Sequence, residues 1–417
     1  MSTAKKFGFF AGVFTPSILT ILGVIMYMRM GWVVGNAGLW GTMAIIILAH
    51  VISIATGLSI SSISTDKKVG AGGVYYVLSR SLGLPMGGAI GLTLFTATSF
   101  SIALYLIGFA ENFNPVLNLG ESIDDYRLSG SIALLLLTLL GYISTSIALR
   151  SQYIILISIF LSLLAIFLGD ASAVEIPVST ADLDEVPFEV IFGVFFPAVT
   201  GFTAGIAMSG DLKNPKRDIP LGTLLAIGTG FVVYTLLALF LYFNVDSQSL
   251  RGDNNILMKI AWFMPFVIMG IWGATLSSAM GGILGGPRIL QAMSMDRIVP
   301  FSAVLSKGSG KNAEPRNALI ITIIIAEIGV LIGELDVIAR IVSMFYLAAY
   351  NFINLSFFLE SWASVDFTPS FKVSRWFGAI GFLATFFVMF QLDPVAMIAA
   401  YVILFVVFIL LRRKELA

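Results

Sequence analysis

Two short stretches hold the residue types that can do chemistry in this chain. One is Thr20-Ile21-Leu22-Gly23, inside the apolar run Phe9 to Val34. The other is Pro197-Ala198-Val199-Thr200-Gly201, inside the run Phe188 to Met208. Each sets a glycine and a small hydroxyl residue in mid-membrane, where a plain spanning helix carries Leu or Ile. The chemistry this offers is that of unpaired backbone, with carbonyl oxygens for a cation and N–H groups for an anion. Backbone released from helical bonding is tolerated at that depth only where protein or a polar cavity satisfies it. Gly and Pro also pack or kink ordinary membrane helices. A pair of interrupted segments at corresponding places, however, points to the binding site of a transporter.

The elements that must position these stretches follow from composition. The chain has 417 residues, 58% of them hydrophobic and 12% charged, with a mean hydropathy of +0.96. Many apolar runs exceed the roughly 18–20 residues that span a bilayer. The class is therefore a polytopic α-helical membrane protein in a lipid bilayer. The first apolar run continues past signal-peptide length without a small-residue cleavage site, so it reads as mature structure. The chain has no Cys, which excludes disulfides, thiolate chemistry and Cys-based metal sites. His50 stands mid-way along the second apolar run and reads as a helix–helix hydrogen bonder rather than a transition-metal ligand. The net charge of zero gives no reason to expect nucleic acid.

Twelve spans are expected, at about 8–34, 40–64, 84–112, 129–148, 151–170, 188–209, 220–243, 257–284, 317–333, 336–359, 373–390 and 394–411. The longest cytoplasmic connection is expected from Pro287 to Arg316. Lys5, Lys6, Lys67, Lys68, Arg80, Arg150, Lys213, Lys216, Arg217, Arg288, Arg297, Arg316, Lys372, Arg375 and Arg412 then fall on one side. The other side holds only Arg127 and Arg251, with Lys259 at the outer start of the eighth span, and is acidic, with Glu121, Asp124, Asp125, Asp170, Glu175, Asp182, Asp184 and Glu185. The positive-inside rule places both termini in the cytoplasm. Spans one to five start inside and spans six to ten start outside, and each block opens on an interrupted span. Five plus five in opposite orientation is the LeuT-like inverted repeat. Residues 1–171 would form the first repeat, 172–360 the second, and 361–417 two additional spans.

The motifs Ile21-Leu22-Gly23-Val24-Ile25-Met26-Tyr27-Met28-Arg29 through Gly35, Gly72-Gly73-Val74-Tyr75-Tyr76 through Gly83, Phe195-Phe196-Pro197-Ala198 with Thr200-Gly201, Ser209-Gly210-Asp211-Leu212, and Gly273-Ala274-Thr275-Leu276-Ser277-Ser278-Ala279 keep the order seen in one family. The chain resembles the cation-chloride cotransporters of the amino acid-polyamine-organocation superfamily, from about residue 7 to about residue 400. The Ser277-Ser278 pair is closest to the sodium-dependent Na-K-Cl branch. The resemblance implies a plasma-membrane symporter that works by alternating access. Its cargo would be chloride with sodium and potassium, electroneutrally, without a cofactor. It also implies a homodimer.

The resemblance implies ligands residue by residue. Sodium would take the carbonyls of Leu19, Leu22 and Ala274 with the hydroxyls of Ser277 and Ser278. Potassium would take Thr20, Ile21, Tyr105, Pro197 and Thr200; the animal transporters carry Asn where this chain has Thr20. Chloride would bind the N–H groups of Gly23-Val24-Ile25 and of Gly201-Phe202-Thr203, at the positive ends of broken helices, with Tyr350 capping the second site. The family has aliphatic pairs where this chain has Phe202-Thr203. Arg29 and Glu111 would pair as an extracellular gate, against the plainer reading of two side chains snorkelling to the interface. Arg340 departs from the family, which tends to have Pro there.

Other readings weigh less. In an amino-acid transporter of the same fold, coupled to sodium or protons, the first-span N–H groups would bind a carboxylate. A channel would show a filter-like loop or a ring of charge. An enzyme would show a nucleophile–base pair or a zinc motif, and the spans hold neither. Gly70 to Gly73 lacks the Gly-Lys-Ser/Thr ending of a phosphate loop. Asn354-Leu355-Ser356 fits a glycosylation triplet but falls inside a span.

Overall fold

The computed structural model describes residues 6–66, 73–143, 145–170, 185–207, 212–309 and 314–416. Their regular structure is helical, with two isolated bridges, Phe7 to Leu212 and Ser309 to Glu314. A π-helical turn, Phe10–Phe14, leads into α1 (Thr15–Ile21), α2 (Val24–Met28) and α3 (Met30–Asp66). Then come α4 (Gly73–Leu82), α5 (Leu84–Leu117), α6 (Ile123–Ile143) and α7 (Thr145–Phe167). The second interrupted run gives α8 (Phe188–Phe195), a 3-10 turn (Phe196–Val199) and α9 (Thr203–Ala207). After it come α10 (Pro215–Asn244), α11 (Ser247–Gly252), α12 (Ile256–Ile260) and α13 (Met264–Met295). The rest is α14 (Ser302–Leu305), α15 (Arg316–Val330), α16 (Leu335–Ala363), α17 (Arg375–Leu392) and α18 (Pro394–Leu416). Among the described residues, eight helical stretches are long and apolar enough to cross a membrane, and Ser151–Phe167 and Phe188–Val199 are shorter apolar ones.

Both expected interruptions are real breaks. α1 ends at Ile21, and Leu22 and Gly23 leave the helical region, at φ −84°, ψ 44° and φ −98°, ψ −147°. The second run loosens into a 3-10 turn and restarts at Thr203. α3 is two helices merged across Gly38, at φ 63° and ψ −175°. That positive φ is accessible to glycine at little steric cost, so the chain turns there between the first and second spans.

The eighth span differs from expectation. The sequence predicts it at 257–284, but α12 is a separate short helix and α13 runs from Met264 to Met295. Phe263 is extended, and Pro265 in the first turn supplies the start signal. Pro287 then lies inside the helix, so the connection to Arg316 begins only after Met295. Lys259 belongs to α12, where it pairs with Asp253 at 2.6 Å. Gly70–Gly72, Ser209–Asp211, Lys67, Lys68, Glu175, Asp182 and Asp184 lie outside the described residues, as does the side chain of Arg150.

The two broken helices are pressed together at glycine. A Cβ on Gly201 would stand 2.8 Å from the Ile21 nitrogen, and one on Gly205 would stand 2.4 Å from the Val13 carbonyl oxygen. In lipid no hydrophobic force drives helices together, so close approach at small residues carries the association. On the α4 side, α4 is tied to the end of α13. Tyr75 Oη donates to Asp296 Oδ2 at 2.6 Å, and Arg80 Nη2 donates to Asp296 Oδ1 at 2.9 Å. Burial and then the bond to Asp296 push the Tyr75 phenol well above its usual titration range, so it stays a donor.

Gly205→Ala should therefore part the broken helices. Overpacking of this kind costs about 1–3 kcal/mol, so the melting temperature in detergent should fall clearly. Gly228→Ala, at a site with nothing within 4 Å, should leave it unchanged.

Candidate ion-binding site at the paired helix breaks

A break leaves carbonyl oxygens without the amide that would bond them in a continuous helix. Here most of those oxygens are taken by hydroxyls from other helices. Tyr234 of α10 donates to the Ile21 carbonyl at 2.6 Å, and Ser278 of α13 reaches the Leu19 carbonyl at 3.4 Å. At the second break, Ser53 of α3 donates to the Val199 carbonyl at 2.9 Å and Tyr350 of α16 to the Thr200 carbonyl at 3.1 Å. Ser17 of α1 donates to the Phe202 carbonyl at 3.1 Å, crossing directly from one broken helix to the other.

The candidate sodium ligands are brought together in part. Ser278 and Leu19 meet, and a Cβ on Gly23 would stand 3.6 Å from Ser278 Oγ. Ala274 is buried on the same helix, and Leu22 is the residue at which α1 ends. Ser277 faces elsewhere. It lines a cavity of about 300 Å³ with Pro16, Thr20, Ser151, Gln152 and Arg288.

The candidate potassium ligands divide as well. Thr20 and Tyr105 line a cavity of about 50 Å³ together with Gly201, Thr203, Ser278 and Tyr346. The carbonyls of Ile21, Pro197 and Thr200 each already accept a hydroxyl, from Tyr234, Thr200 and Tyr350. The Thr20 hydroxyl turns back to the Pro16 carbonyl at 2.9 Å.

For chloride, Gly23, Val24 and Ile25 begin α2, whose N-cap has no side-chain hydrogen bond. Gly201 and Phe202 form the turn before α9, and Thr203 opens it. Tyr350 is fully buried, its ring centroid 5.4 Å from that of Phe202. It therefore sits against the second break, with its hydroxyl on the Thr200 carbonyl.

Arg29 lies in the joint between α2 and α3 and is 4% exposed, which excludes snorkelling. Its Nη1 and Nη2 donate to the two Glu111 oxygens at 2.9 and 3.1 Å, a two-pronged pair. Its Nε donates to Asp336 Oδ1, in the first turn of α16, and Nη1 also reaches the Met28 carbonyl at 3.0 Å. One cation thus joins three segments through two carboxylates. Arg340 is exposed and lays its aliphatic stem over Gly193 of α8. His50 Nδ1 donates to the Ile46 carbonyl, 2.8 Å away, and packs its ring edge-on to Phe231. Asn354 is buried between Ser59 and Thr56.

Sequence reasoning missed Asp336, Tyr234, Ser53 and Ser17. Asp336 reads as an acidic residue in a helix's first turn, which the helix dipole explains without a partner. Tyr234 and Ser53 are single polar residues in apolar runs, the one available signal being that such a residue needs a partner.

Residues 12–415 match the amino acid permease family model. Solute carrier family 12 member 2 of Mus musculus is 33% identical over 98% of this chain and 39% of its own length. Solute carrier family 12 member 1 of Homo sapiens is 31% identical over 98% of this chain and 43% of its own. The chain thus spans about two-fifths of these relatives. A solved Na+-coupled sialic acid symporter, in a substrate-bound outward-open state, superposes with a TM-score of 0.58 at 13% identity, covering 95% of this chain and 90% of that one. That likeness shows the expected all-α, LeuT-like fold. The chain is a multi-pass membrane protein of the amino acid permease family, and within it belongs with the cation-chloride cotransporters whose motifs it carries.

Proposed function

We propose that this chain is a secondary transporter carrying chloride together with sodium and potassium by alternating access. The observation that carries the reading is the meeting of two broken helices at a small cavity, with Gly201 and the hydroxyl residues Thr20, Thr203 and Ser278 on its wall. Carbonyls and amides freed at helix breaks hold cations and anions without a charged side chain. The Arg29–Glu111–Asp336 cluster closes the end away from α4. A second cavity, lined by Ser277 and Arg288, adjoins Thr20 on the other side. In this reading the cluster shuts one side and the second cavity gives access from the other, as alternating access requires and a channel does not.

In this reading the chain crosses the membrane twelve times with both termini cytoplasmic, in repeats 1–171 and 172–360 followed by 361–417. It works in the plasma membrane, as a homodimer, with one Na+ and one K+ moving with two Cl−. Sodium sits between Leu19, Leu22, Ala274, Ser277 and Ser278. Potassium sits by Thr20, Ile21, Tyr105, Pro197 and Thr200. The chlorides lie at Gly23-Val24-Ile25 and at Gly201-Phe202-Thr203 with Tyr350.

In proteoliposomes, radiolabelled chloride and rubidium should each enter only when sodium and the other ion are present. Rubidium-independent chloride uptake would remove potassium from the reading, and uptake of an amino acid in place of chloride would replace it. Ser278→Ala should raise the sodium half-saturation about tenfold or more, since a ligand to a charged group is worth roughly 1.5–3 kcal/mol. Ser277→Ala should raise it as well, though by less, since Ser277 also borders the neighbouring cavity; no change would take its hydroxyl off the ion.

The outer cluster makes its own forecast. Removing Glu111 or Asp336 takes one of two carboxylate partners from buried Arg29, and a hydrogen bond to a charged group is worth about 1.5–3 kcal/mol. Glu111→Gln should hurt more than Asp336→Asn, because it loses both prongs. A double-mutant cycle on chloride flux should show coupling of about 0.5–3 kcal/mol, whereas additive losses would mean that the cluster does not act as one gate.

A further inference from the structure

The caps on the two breaks are crossed. Ile21 stands two residues before Gly23, and Val199 stands two residues before Gly201. The Ile21 carbonyl is capped by Tyr234 on α10, the helix that follows the second break. The Val199 carbonyl is capped by Ser53 on α3, the helix that follows the first. Corresponding carbonyls are thus held by corresponding helices of opposite halves, with a short donor at one and a long, ring-mounted donor at the other.

The long donor cannot easily leave. Tyr234 is fully buried. Its ring meets Phe195 of α8 edge-on at 5.3 Å and lies 6.4 Å from the His50 ring. It therefore touches both broken helices at once, by its ring on one and its hydroxyl on the other. A carbonyl oxygen has two lone pairs. The Tyr234 bond takes one and fixes the direction of the other. No backbone amide among the described residues bonds the Ile21 oxygen, so this hydroxyl alone orients it.

We propose that Tyr234 is a positioning residue that sets which cation the first break accepts, by holding the Ile21 carbonyl in one orientation. The proposal rests on the transporter reading above. Ions of different radius ask for different carbonyl positions, and a tethered carbonyl discriminates among them where a free one turns to follow each. The hydroxyl itself touches no ion.

The test is Tyr234→Phe in the full chain, reconstituted in vesicles, with chloride uptake measured at fixed, saturating sodium while potassium, rubidium or caesium is varied. The rubidium half-saturation should rise roughly threefold to tenfold, the size expected for one lost hydrogen bond. The ratio of half-saturations among the three cations should move toward one, while chloride half-saturation and maximal rate hold. A fall in maximal rate with unchanged cation ratios would mean a structural role only, and would overturn the proposal. If the Phe variant does not fold, a fluorinated tyrosine at position 234 keeps the shape and strengthens the donor. It should move the cation ratio the opposite way, and an unchanged ratio again overturns the proposal. Wild-type protein without cation-stimulated chloride uptake would overturn the transporter reading and this inference with it. Stimulated uptake with unaltered selectivity in both variants would overturn this inference alone.

Discussion

A freed backbone carbonyl inside a membrane has no water to bond, and the cost of leaving it bare is several kcal/mol. The two breaks in this chain release several such oxygens next to one another. The structure answers with hydroxyls sent in from other helices: Tyr234, Ser278, Ser53, Tyr350 and Ser17. Each cap carries part of its own helix to the centre, so helix placement and backbone satisfaction are one requirement. The glycine contacts between the broken helices, at Gly201 and Gly205, are what allow the donors to reach.

The same need separates backbone that is committed from backbone that is available. Ile21, Val199 and Phe202 give their oxygens to caps, and Thr20 does not turn its carbonyl to any donor among the described residues. Thr20 also borders both cavities at the breaks. At the other end of α2, one arginine gathers two carboxylates in place of hydroxyls. A buried charge at this depth demands a partner even more strongly than a carbonyl does, so the joint beyond the break is rigid where the break itself is polar and neutral.

Much of the fold was legible because lipid imposes long apolar runs and makes each interruption conspicuous. The breaks at Leu22-Gly23 and around Thr200 lie where glycine and hydroxyl residues mark them, and the turn at Gly38 falls between the two expected spans. The start of α13 was misplaced because Ile256–Ile260 is as apolar as a span and only Pro265 marks the true beginning. Resemblance brought Arg29 and Glu111 into view as a pair. It gave no sign of Asp336, whose position in a helix's first turn has an ordinary local explanation. The caps were harder still. A serine in an apolar helix declares that it wants a partner, but the partner of Ser53 lies 146 residues away, and no local pattern encodes that distance.

That separation bears on how the protein is made. The chain enters the membrane from its N-terminus, so α1 to α3 are in place before α10 and α13 have been synthesised. During that interval the Ile21 and Leu19 carbonyls have neither Tyr234 nor Ser278, and the hydroxyls of Ser17 and Ser53 lack the carbonyls they finally bond. The early half is an incomplete polar surface held in lipid, dependent on water, on the insertion machinery or on provisional pairings within itself. Its maturation is a late event, set by the arrival of the second break. A fault in α10 would thus be felt first as a failure of α1 to settle, in a segment completed two hundred residues earlier by position.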